Sequence, residues 1–355
     1  MKRNDALAKP WIVLVGGFLG AGKTTLLLAA AQELDRRGLR SAVVLNDQGD
    51  ALVDSRLAEL NGLSSGEVTG GCFCCRFSDL VDVIETLHKH SPHVIFAEPV
   101  GSCTDISATI LGPLREYSET YQLAPYTVLV DATRAKDLLE DYADPNLRFL
   151  FEQQLNEADL VCFTKSDLHA DVPDVPWQNV RQISAKTGEG VAAWLDEVLS
   201  GTLSAGSKIL DIDYEQYARA EAALAWLNLH VTWTSPEPIR AAMVLGPLLD
   251  RLDTAFTAAD ISIVHLKGIA SSPHGYLKAA ICRNGEQPVV EGAVDFSCSL
   301  THDVLLNLRA VGQAESVRHI VEQEVSRLNP GAGDLTVTCF HPAAPKPERR
   351  IPALR

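Results

Sequence analysis

The strongest constraint on the fold is a run of eight residues near the start of the chain. Gly17-Phe18-Leu19-Gly20-Ala21-Gly22-Lys23-Thr24 fits the pattern G-x-x-x-x-G-K-[ST]. A β-rich apolar run, Trp11–Val15, precedes it, and an amphipathic helical pattern, Thr24–Arg37, follows it. Glycines let a strand-to-helix turn bend tightly enough for successive backbone N–H groups to face one anion, and the positive end of the helix adds to the attraction. Such a unit is built to hold a phosphate at its tip and to open a parallel α/β sheet. Gly17, Gly20, Ala21, Gly22 and Thr25 are expected to form the cradle. Lys23 would reach the β- and γ-phosphates, and the Thr24 hydroxyl would ligate Mg²⁺.

The rest of the first two hundred residues repeats the alternation. Strands are expected at Ser41–Leu45, His93–Ala97, Tyr126–Val130, Asp159–Thr164 and Val180–Ser184, with amphipathic helices at Asp79–His90, Asn146–Glu157 and Val191–Leu199. At 355 residues the chain is long enough for about two domains. The pattern divides it into a nucleotide-binding domain over 1–203, a linker over 204–228, an α+β domain over 229–340 and a disordered tail over 341–355. The α+β domain reads as a split β-α-β-β-α-β unit with one added strand. The tail is assigned to disorder for its prolines and basic residues. The apolar run Trp11–Gly22 is too short to span a bilayer and ends in Lys23-Thr24-Thr25, not in a small-residue cleavage site, so a cytoplasmic protein is expected.

The base is read from two later segments. In Thr164-Lys165-Ser166-Asp167 the aspartate after a strand can accept two hydrogen bonds from guanine N1–H and its amino group, a paired donor that adenine lacks. The Lys165 stem would pack over the base. Ser184-Ala185-Lys186 follows the last strand, and together the two segments resemble the N/T-K-x-D and S-A-K elements of GTPases. Thr164 stands where asparagine is commoner, which would weaken a hydrogen bond tethering the loop. Taken alone, the first segment also suits a turn capping a helix. Glu98, at the end of the strand in His93–Gly101, would hold Mg²⁺ directly or through water, and Gly101 would offer its N–H to the γ-phosphate. A strand-end salt bridge is the competing role for Glu98. Asp47, in Asn46-Asp47-Gln48-Gly49-Asp50, is either a Mg²⁺ or water ligand or the head of an Asx turn. Asp47 and Glu98 are the candidates for positioning the attacking water.

Three of the eight cysteines fall within four positions, in Gly70-Gly71-Cys72-Phe73-Cys74-Cys75. Three thiols so close can converge on one soft-leaning cation such as Zn²⁺ or Co²⁺, and adjacent Cys74 and Cys75 are poor partners for a disulfide. The fourth tetrahedral position stays open, which suits an exchangeable ion. A redox-sensing thiol cluster and plain buried small residues are the other readings. Cys103, shortly after Glu98, is a fourth ligand, a redox partner or a buried small residue. The 31 basic and 46 acidic residues leave a net charge of −15, which disfavours nucleic acid and anionic membranes as partners.

GGFLGAGKTTLL, the N-[DE]-x-G-[DE] segment NDQGD, GGCFCC, the strand-end E-x-x-G and TKSD occur in the order of the CobW-type metallochaperone GTPases, of one class with HypB and UreG, and residues 11–200 resemble that family. His265-Leu266-Lys267-Gly268 and Gly275-Tyr276-Leu277 look like its C-terminal domain. The resemblance implies a GTPase whose Cys72, Cys74 and Cys75 bind zinc or cobalt, with GTP organising the site and hydrolysis releasing metal to a client metalloprotein. It also implies completion of the site by a nucleotide-dependent homodimer. Two other functions fit the same motifs: a GTPase gatekeeper of a corrinoid-dependent enzyme, and a thiol redox-sensing nucleotide-binding module. Unlike many relatives, the chain has no histidine-rich loop.

Overall fold

The computed structural model describes residues 9–46, 52–140, 143–168, 180–292, 298–329 and 333–352. The chain divides into two units, one of Met1–Gln48, Asp54–Ala220 and Pro345–Arg355, the other of Gly49–Val53 and Glu221–Ala344.

The first unit alternates strands and helices: β1 (Trp11–Gly17), α1 (Lys23–Arg36), β2 (Ser41–Asn46), α2 (Val53–Leu60), β3 (Ser64–Val68), α3 (Phe77–His88) and β4 (Val94–Glu98). A π-turn over Ser107–Leu111 runs into α4 (Gly112–Leu114). Then come β5 (Gln122–Leu123), β6 (Thr127–Asp131), α5 (Ala132–Leu139), α6 (Pro145–Glu157), β7 (Leu160–Thr164), β8 (Val180–Gln182), α7 (Val191–Val198) and α8 (Tyr214–Ala222). The strands lie in the order β3-β2-β4-β1-β6-β7-β8, with β5 also paired to β1, and every pairing is parallel. This is the α/β fold expected of a P-loop GTPase domain. Its central strands read as unbroken apolar runs because both faces are covered: Ile12 to Val15 of β1 and Val94 to Ala97 of β4 are all buried. Leu26, Leu27, Ala30 and Leu34 recur at helical spacing and turn one face of α1 into the core with Trp194 and Leu195 of α7. Asp144 caps α6, taking the N–H groups of Asn146 and Leu147 at 2.8 and 3.1 Å, with Pro145 at the first helical position.

The second unit runs β9 (Leu224–Ile239), α9 (Ala242–Ala258), β10 (Ser262–Ser272), β11 (Gly275–Ile281), β12 (Val289–Gly292), β13 (Ser299–Val311), α10 (Ala314–Leu328) and β14 (Gly333–Phe340). Its antiparallel sheet has the order β12-β11-β10-β13-β9-β14. Without β11 and β12 the order β14-β9-β13-β10 is that of a split β-α-β sheet, as expected. Leu227, Leu229 and Val231 of β9 meet Leu245, Leu248 and Leu252 of α9 and Val317 and Val321 of α10 in one core. The sequence pattern does not reveal β3 and β12 because both are edge strands, whose exposed side chains carry no apolar alternation.

Two boundaries differ from expectation. The segment expected as a linker over 204–228 is fastened at its start. The Asp159 carboxylate accepts the N–H groups of Gly206 and Ser207 at 2.6 and 2.9 Å, Arg115 donates to the Ala205 carbonyl at 2.6 Å, and Lys208 donates to that of Ala158 at 2.7 Å. α8 and the start of β9 occupy the remainder, and the units part after Ala220. The expected disordered tail also fails to fit, since residues 345–352 return to the first unit with side-chain and backbone bonds. Among the described helices, none is long and apolar enough to cross a membrane.

Candidate functional site

Parallel sheets place their ligands beyond the carboxyl ends of the strands, and the candidate residues of the first unit gather at the ends of β1, β2, β4 and β7. At the end of β1, Gly17 has φ +132, and a Cβ there would stand 2.4 Å from the Leu129 carbonyl oxygen of neighbouring β6. No other residue fits. Gly20 and Gly22 continue the loop at φ +81 and +88, and the Ala21 N–H closes it on the Phe18 carbonyl at 3.0 Å. Lys23 opens α1 and donates through Nζ to the Gly17 carbonyl at 2.9 Å, bending back over the loop. Thr25 comes next, half-buried.

β4 lies beside β1 in register, Leu14 opposite Ala97, so Glu98 emerges next to the phosphate loop. The Thr24 hydroxyl donates to its carboxylate at 3.0 Å to Oε2, and both side chains are buried. A Cβ on Gly101 would lie 2.8 Å from the Leu19 side chain and 3.1 Å from Lys23 Nζ, so the backbone here packs closely against the loop. Gln154 of α6 holds the turn by donating to the carbonyls of Gly101 and Cys103 at 3.0 and 2.9 Å.

The two base-reading segments meet. Ser184 donates to Asp167 at 2.7 Å, and the Thr187 N–H in turn bonds Ser184 Oγ at 3.2 Å. Asp167 and Lys186 are exposed and Ala185 is half-buried beside them. Thr164 Oγ1 donates to the Ala21 carbonyl at 2.9 Å, so the hydroxyl supplies the tether to the phosphate loop that its departure from asparagine was expected to weaken. Lys165, at φ +60, places Nζ 2.6 Å from Asp131. Burial pushes the Asp131 carboxyl up, but the Lys165 charge and hydrogen bond, with those of Thr133, outweigh it and hold the group below its ordinary value.

Asp47 lies outside the described residues, but Asn46 at the end of β2 organises the cysteine-bearing turn. Its amide donates to the carbonyls of Val68 and Gly71 at 2.9 and 2.8 Å, and its oxygen accepts the Phe73 N–H at 2.8 Å. Fully buried Phe73 anchors the turn, and the N–H groups of Cys75 and Arg76 both bond the Cys72 carbonyl at 3.0 Å, leading into α3. This winding puts the three thiols on one side. Cys72 Sγ is 2.9 Å from Cys74 Sγ and 3.2 Å from Cys75 Sγ, Cys74 and Cys75 are 3.8 Å apart, and all three sulfurs lie within 4.8 Å of one another. Hydrogen bonds from Cys103, Cys74 and Cys75 hold the Cys72 thiol well below the usual range. Bonding to Cys72, with burial, pushes Cys74 well above it. Bonding to Cys72 raises Cys75 as well. Cys72 is therefore the most acidic of the three thiols.

The sequence model of the CobW/HypB/UreG nucleotide-binding domain matches residues 11–188, the stretch from β1 to the Ser184 loop. The chain belongs to the CobW/HypB/UreG family. Among curated relatives, the zinc chaperone YjiA of Escherichia coli is 30% identical over 169 residues, covering 44% of this chain and 49% of that protein. The zinc chaperone CobW of Sinorhizobium sp is 31% identical over 230 residues, 54% of this chain and 63% of that protein. The chain thus spans about half to three fifths of the length of these relatives. The Zn(II)-bound YjiA GTPase from E. coli is 18% identical over 89% of this chain and 99% of that chain, with a TM-score of 0.38.

Within this CobW/HypB/UreG domain, sequence reasoning missed Asn46, Asp131 and Gln154. Asn46 stands inside the motif that drew attention to Asp47, so a strand-end amide beside a glycine-rich turn was the available signal. Asp131 and Gln154 reach Lys165 and Gly101 across 34 and 53 positions and carry no local signature.

Proposed function

We propose that this CobW/HypB/UreG-family protein is a GTP-hydrolysing metallochaperone that takes a Zn²⁺-type cation on Cys72, Cys74 and Cys75 and passes it to a client metalloprotein under control of its nucleotide state. The observation that carries this reading is the convergence of three thiols in the same unit as the phosphate loop. Cysteine sulfur suits zinc or cobalt, whereas the hydroxyl of Thr24 and the carboxylate of Glu98, 3.0 Å apart, are the hard oxygen donors that Mg²⁺ prefers. These two residues would hold Mg²⁺, which neutralises charge between the β- and γ-phosphates.

In this reading Lys23 and the loop amides stabilise the charge that develops on the γ-phosphoryl group as water attacks in line. Gly101 offers its N–H to the γ-phosphate. Asp167 accepts from the guanine edge, with Ser184 fixing its carboxylate and Ala185 and Lys186 flanking the base. Lys165 is held by Asp131, which orients its stem toward the base. The attacking water is positioned by Asp47 or Glu98, and a nucleotide-dependent homodimer completes the site.

The test is metal titration of the full chain with GDP and with a non-hydrolysable GTP analogue, alongside a Cys72, Cys74 and Cys75 triple serine variant. About one Zn²⁺ or Co²⁺ should bind, lost in the triple variant while GTP binding persists. The two nucleotide states should differ at least tenfold in metal affinity, about 1.4 kcal/mol of coupling. Intact metal stoichiometry in the triple variant would overturn the proposal. GTP turnover that survives loss of the thiols and responds to a corrinoid-dependent enzyme would assign the gatekeeper role instead.

A further inference from the structure

The chain leaves β14 at Phe340 and comes back to the first unit as Pro345-Lys346-Pro347-Glu348-Arg349-Arg350-Ile351-Pro352, a segment with no helix or strand of its own. Proline fixes one backbone angle and carries no N–H, which stiffens the segment in an extended form and leaves Lys346 and Glu348 as the backbone donors of its first four residues. Both are spent on the cysteine turn. The Lys346 N–H donates to Cys75 Sγ at 3.2 Å, and the Glu348 N–H to the Cys74 carbonyl at 2.9 Å. Burial alternates as in an extended chain: Pro345, Pro347, Arg349 and Ile351 are half-buried, while Lys346, Glu348, Arg350 and Pro352 are exposed. We propose that residues 345–352 are a releasable strap over the thiol cluster, bound in cis as a peptide ligand of the first unit, whose opening governs access to Cys75. The covering of the thiols stands on these contacts, and the gating of a cation rests on the metal-binding function proposed above.

The surface under the strap meets it residue by residue. Ser78, at the start of α3, donates its N–H and hydroxyl to the Glu348 carboxylate at 2.9 and 2.7 Å. Arg349 forks onto the two oxygens of Glu116, one bond measuring 2.9 Å, and lies over the Phe77 ring, 5.8 Å from its centroid. Arg350 donates through Nε to Asp105 at 2.7 Å and through a terminal nitrogen to the Leu210 carbonyl at 2.9 Å. The Ile351 N–H bonds the Ala108 carbonyl at 2.9 Å, and its side chain lies on Gly112, where a Cβ would stand 3.2 Å from that of Ile351. Main-chain bonds combined with separate seats for individual side chains are the way extended peptides are recognised in trans.

Two features make the segment a strap and not part of the core. None of residues 345–352 is buried, and Ser78 and Glu116 are themselves exposed, so Asp105 is the one buried charge it meets in the described contacts. Exposed ion pairs contribute little singly, and a segment held by them opens locally without unfolding the rest. The second feature is where it lies. Cys72 and Cys74 are 5% and 2% exposed, and Cys75 is the least buried of the three. Solvent, and any ligand arriving from it, therefore reaches the cluster at Cys75, the sulfur on which the strap backbone sits. A cation held by the thiols leaves from that side, after the strap has parted from it.

The experiment compares the full chain with its Glu348→Ala/Arg349→Ala double variant, in which the partners left behind, Ser78 and Glu116, face water and no buried charge is stranded. In reduced, metal-free protein, alkylation of Cys75 followed by mass spectrometry should run roughly tenfold faster in the variant, while exposed Cys298 of the second unit reacts equally in both. Equal Cys75 rates would overturn the proposal. Hydrogen exchange of the wild type needs no variant: the amides of 346–351 should exchange more slowly than in a synthetic peptide of the same sequence, yet faster than those of β1. Exchange at the rate of the free peptide, or only together with β1, would each overturn it. With Zn²⁺ loaded, transfer of the metal to a chelator should also be roughly tenfold faster in the variant, and equal transfer rates would overturn the gating. A wild-type chain that takes up no Zn²⁺ would instead sink the metallochaperone reading, an outcome distinct from a strap that leaves Cys75 unprotected.

Discussion

The phosphate loop and the cysteine cluster both present a prepared pocket to a charged ligand, yet they are assembled differently. The loop is one strand, turn and helix: residues 17–25 are contiguous, and Lys23 closes on Gly17 six positions away. The cluster is four pieces of chain. Asn46 sets the turn at 72–75, and Lys346, Glu348 and Arg350, from about 245 to 271 positions away, tie it to the loop of Asp105. A contiguous cradle is fixed by local backbone geometry and resists remote change. An assembled pocket is sensitive to every segment that enters it, which would suit the proposed release of a bound cation.

The contrast can be broken by substitutions that should injure one pocket and spare the other. The largest effect is expected for Lys23→Ala, which removes the cation facing the γ-phosphate. GTP turnover measured by phosphate release should fall roughly 10²- to 10³-fold, with zinc stoichiometry retained. Loss of both would mean that the pockets are not separable. Arg350→Ala should come next. It leaves Asp105 buried with Tyr214 as its remaining side-chain donor in the described contacts, a loss of about 2 kcal/mol in denaturant unfolding. Zinc affinity, by chelator competition, should fall more than GTP affinity. Equal losses would count against a remote support specific to the cluster. Asn46→Ala deletes three hydrogen bonds around the turn and is expected to remove about 2 kcal/mol of stability, again with zinc affinity suffering first.

Glu157 sharpens the comparison through pH. Fully buried behind the Cys103 turn, it accepts from Thr104 Oγ1 and the Ser107 N–H, and burial pushes its carboxyl from 4.5 to about 8. Between those values the folded chain holds a proton that the unfolded chain has lost. Its contribution to stability is therefore full below 4.5 and is lost as pH rises toward 8, with a slope of up to about 1.4 kcal/mol per pH unit. Glu157→Gln should flatten the unfolding profile between pH 5 and 8. An unchanged slope would show that this carboxyl is ionised in the folded state. The smallest effect is expected for Thr164→Val, which removes the tether to Ala21 and should weaken GTP binding by about 1 kcal/mol in calorimetry while zinc binding stays level.

The parallel strands of the first unit and the split β-α-β plan of the second were legible because burial on two faces or one leaves a periodic mark, whereas the spatial order of the strands came from the fold. β3 and β12 left none, being edges. The phosphate loop was legible because glycine, lysine and threonine at fixed offsets are demanded by one local bend. The segments of Asp167 and Ser184 were each readable as following a strand, but the hydrogen bond between them came from the fold. The grip of Lys165 on Asp131 and of Arg350 on Asp105 was not. Within the segment that read as a disordered tail, Lys346, Glu348 and Arg350 turned out to be backbone and side-chain partners for the cluster turn, α3 and Asp105.

By itself the sequence determined the phosphate cradle, the parallel sheet that carries it and the three adjacent thiols, because each is set by residues within a turn or two of one another. Only the tertiary structure decided that residues 345–352 bind the turn that carries them. The physical reason is degeneracy: a local bend admits few residue types at each position, whereas a buried carboxylate or thiol accepts any suitable partner the fold delivers, and the chain holds many arginines, amides and cysteines from which the fold alone selects.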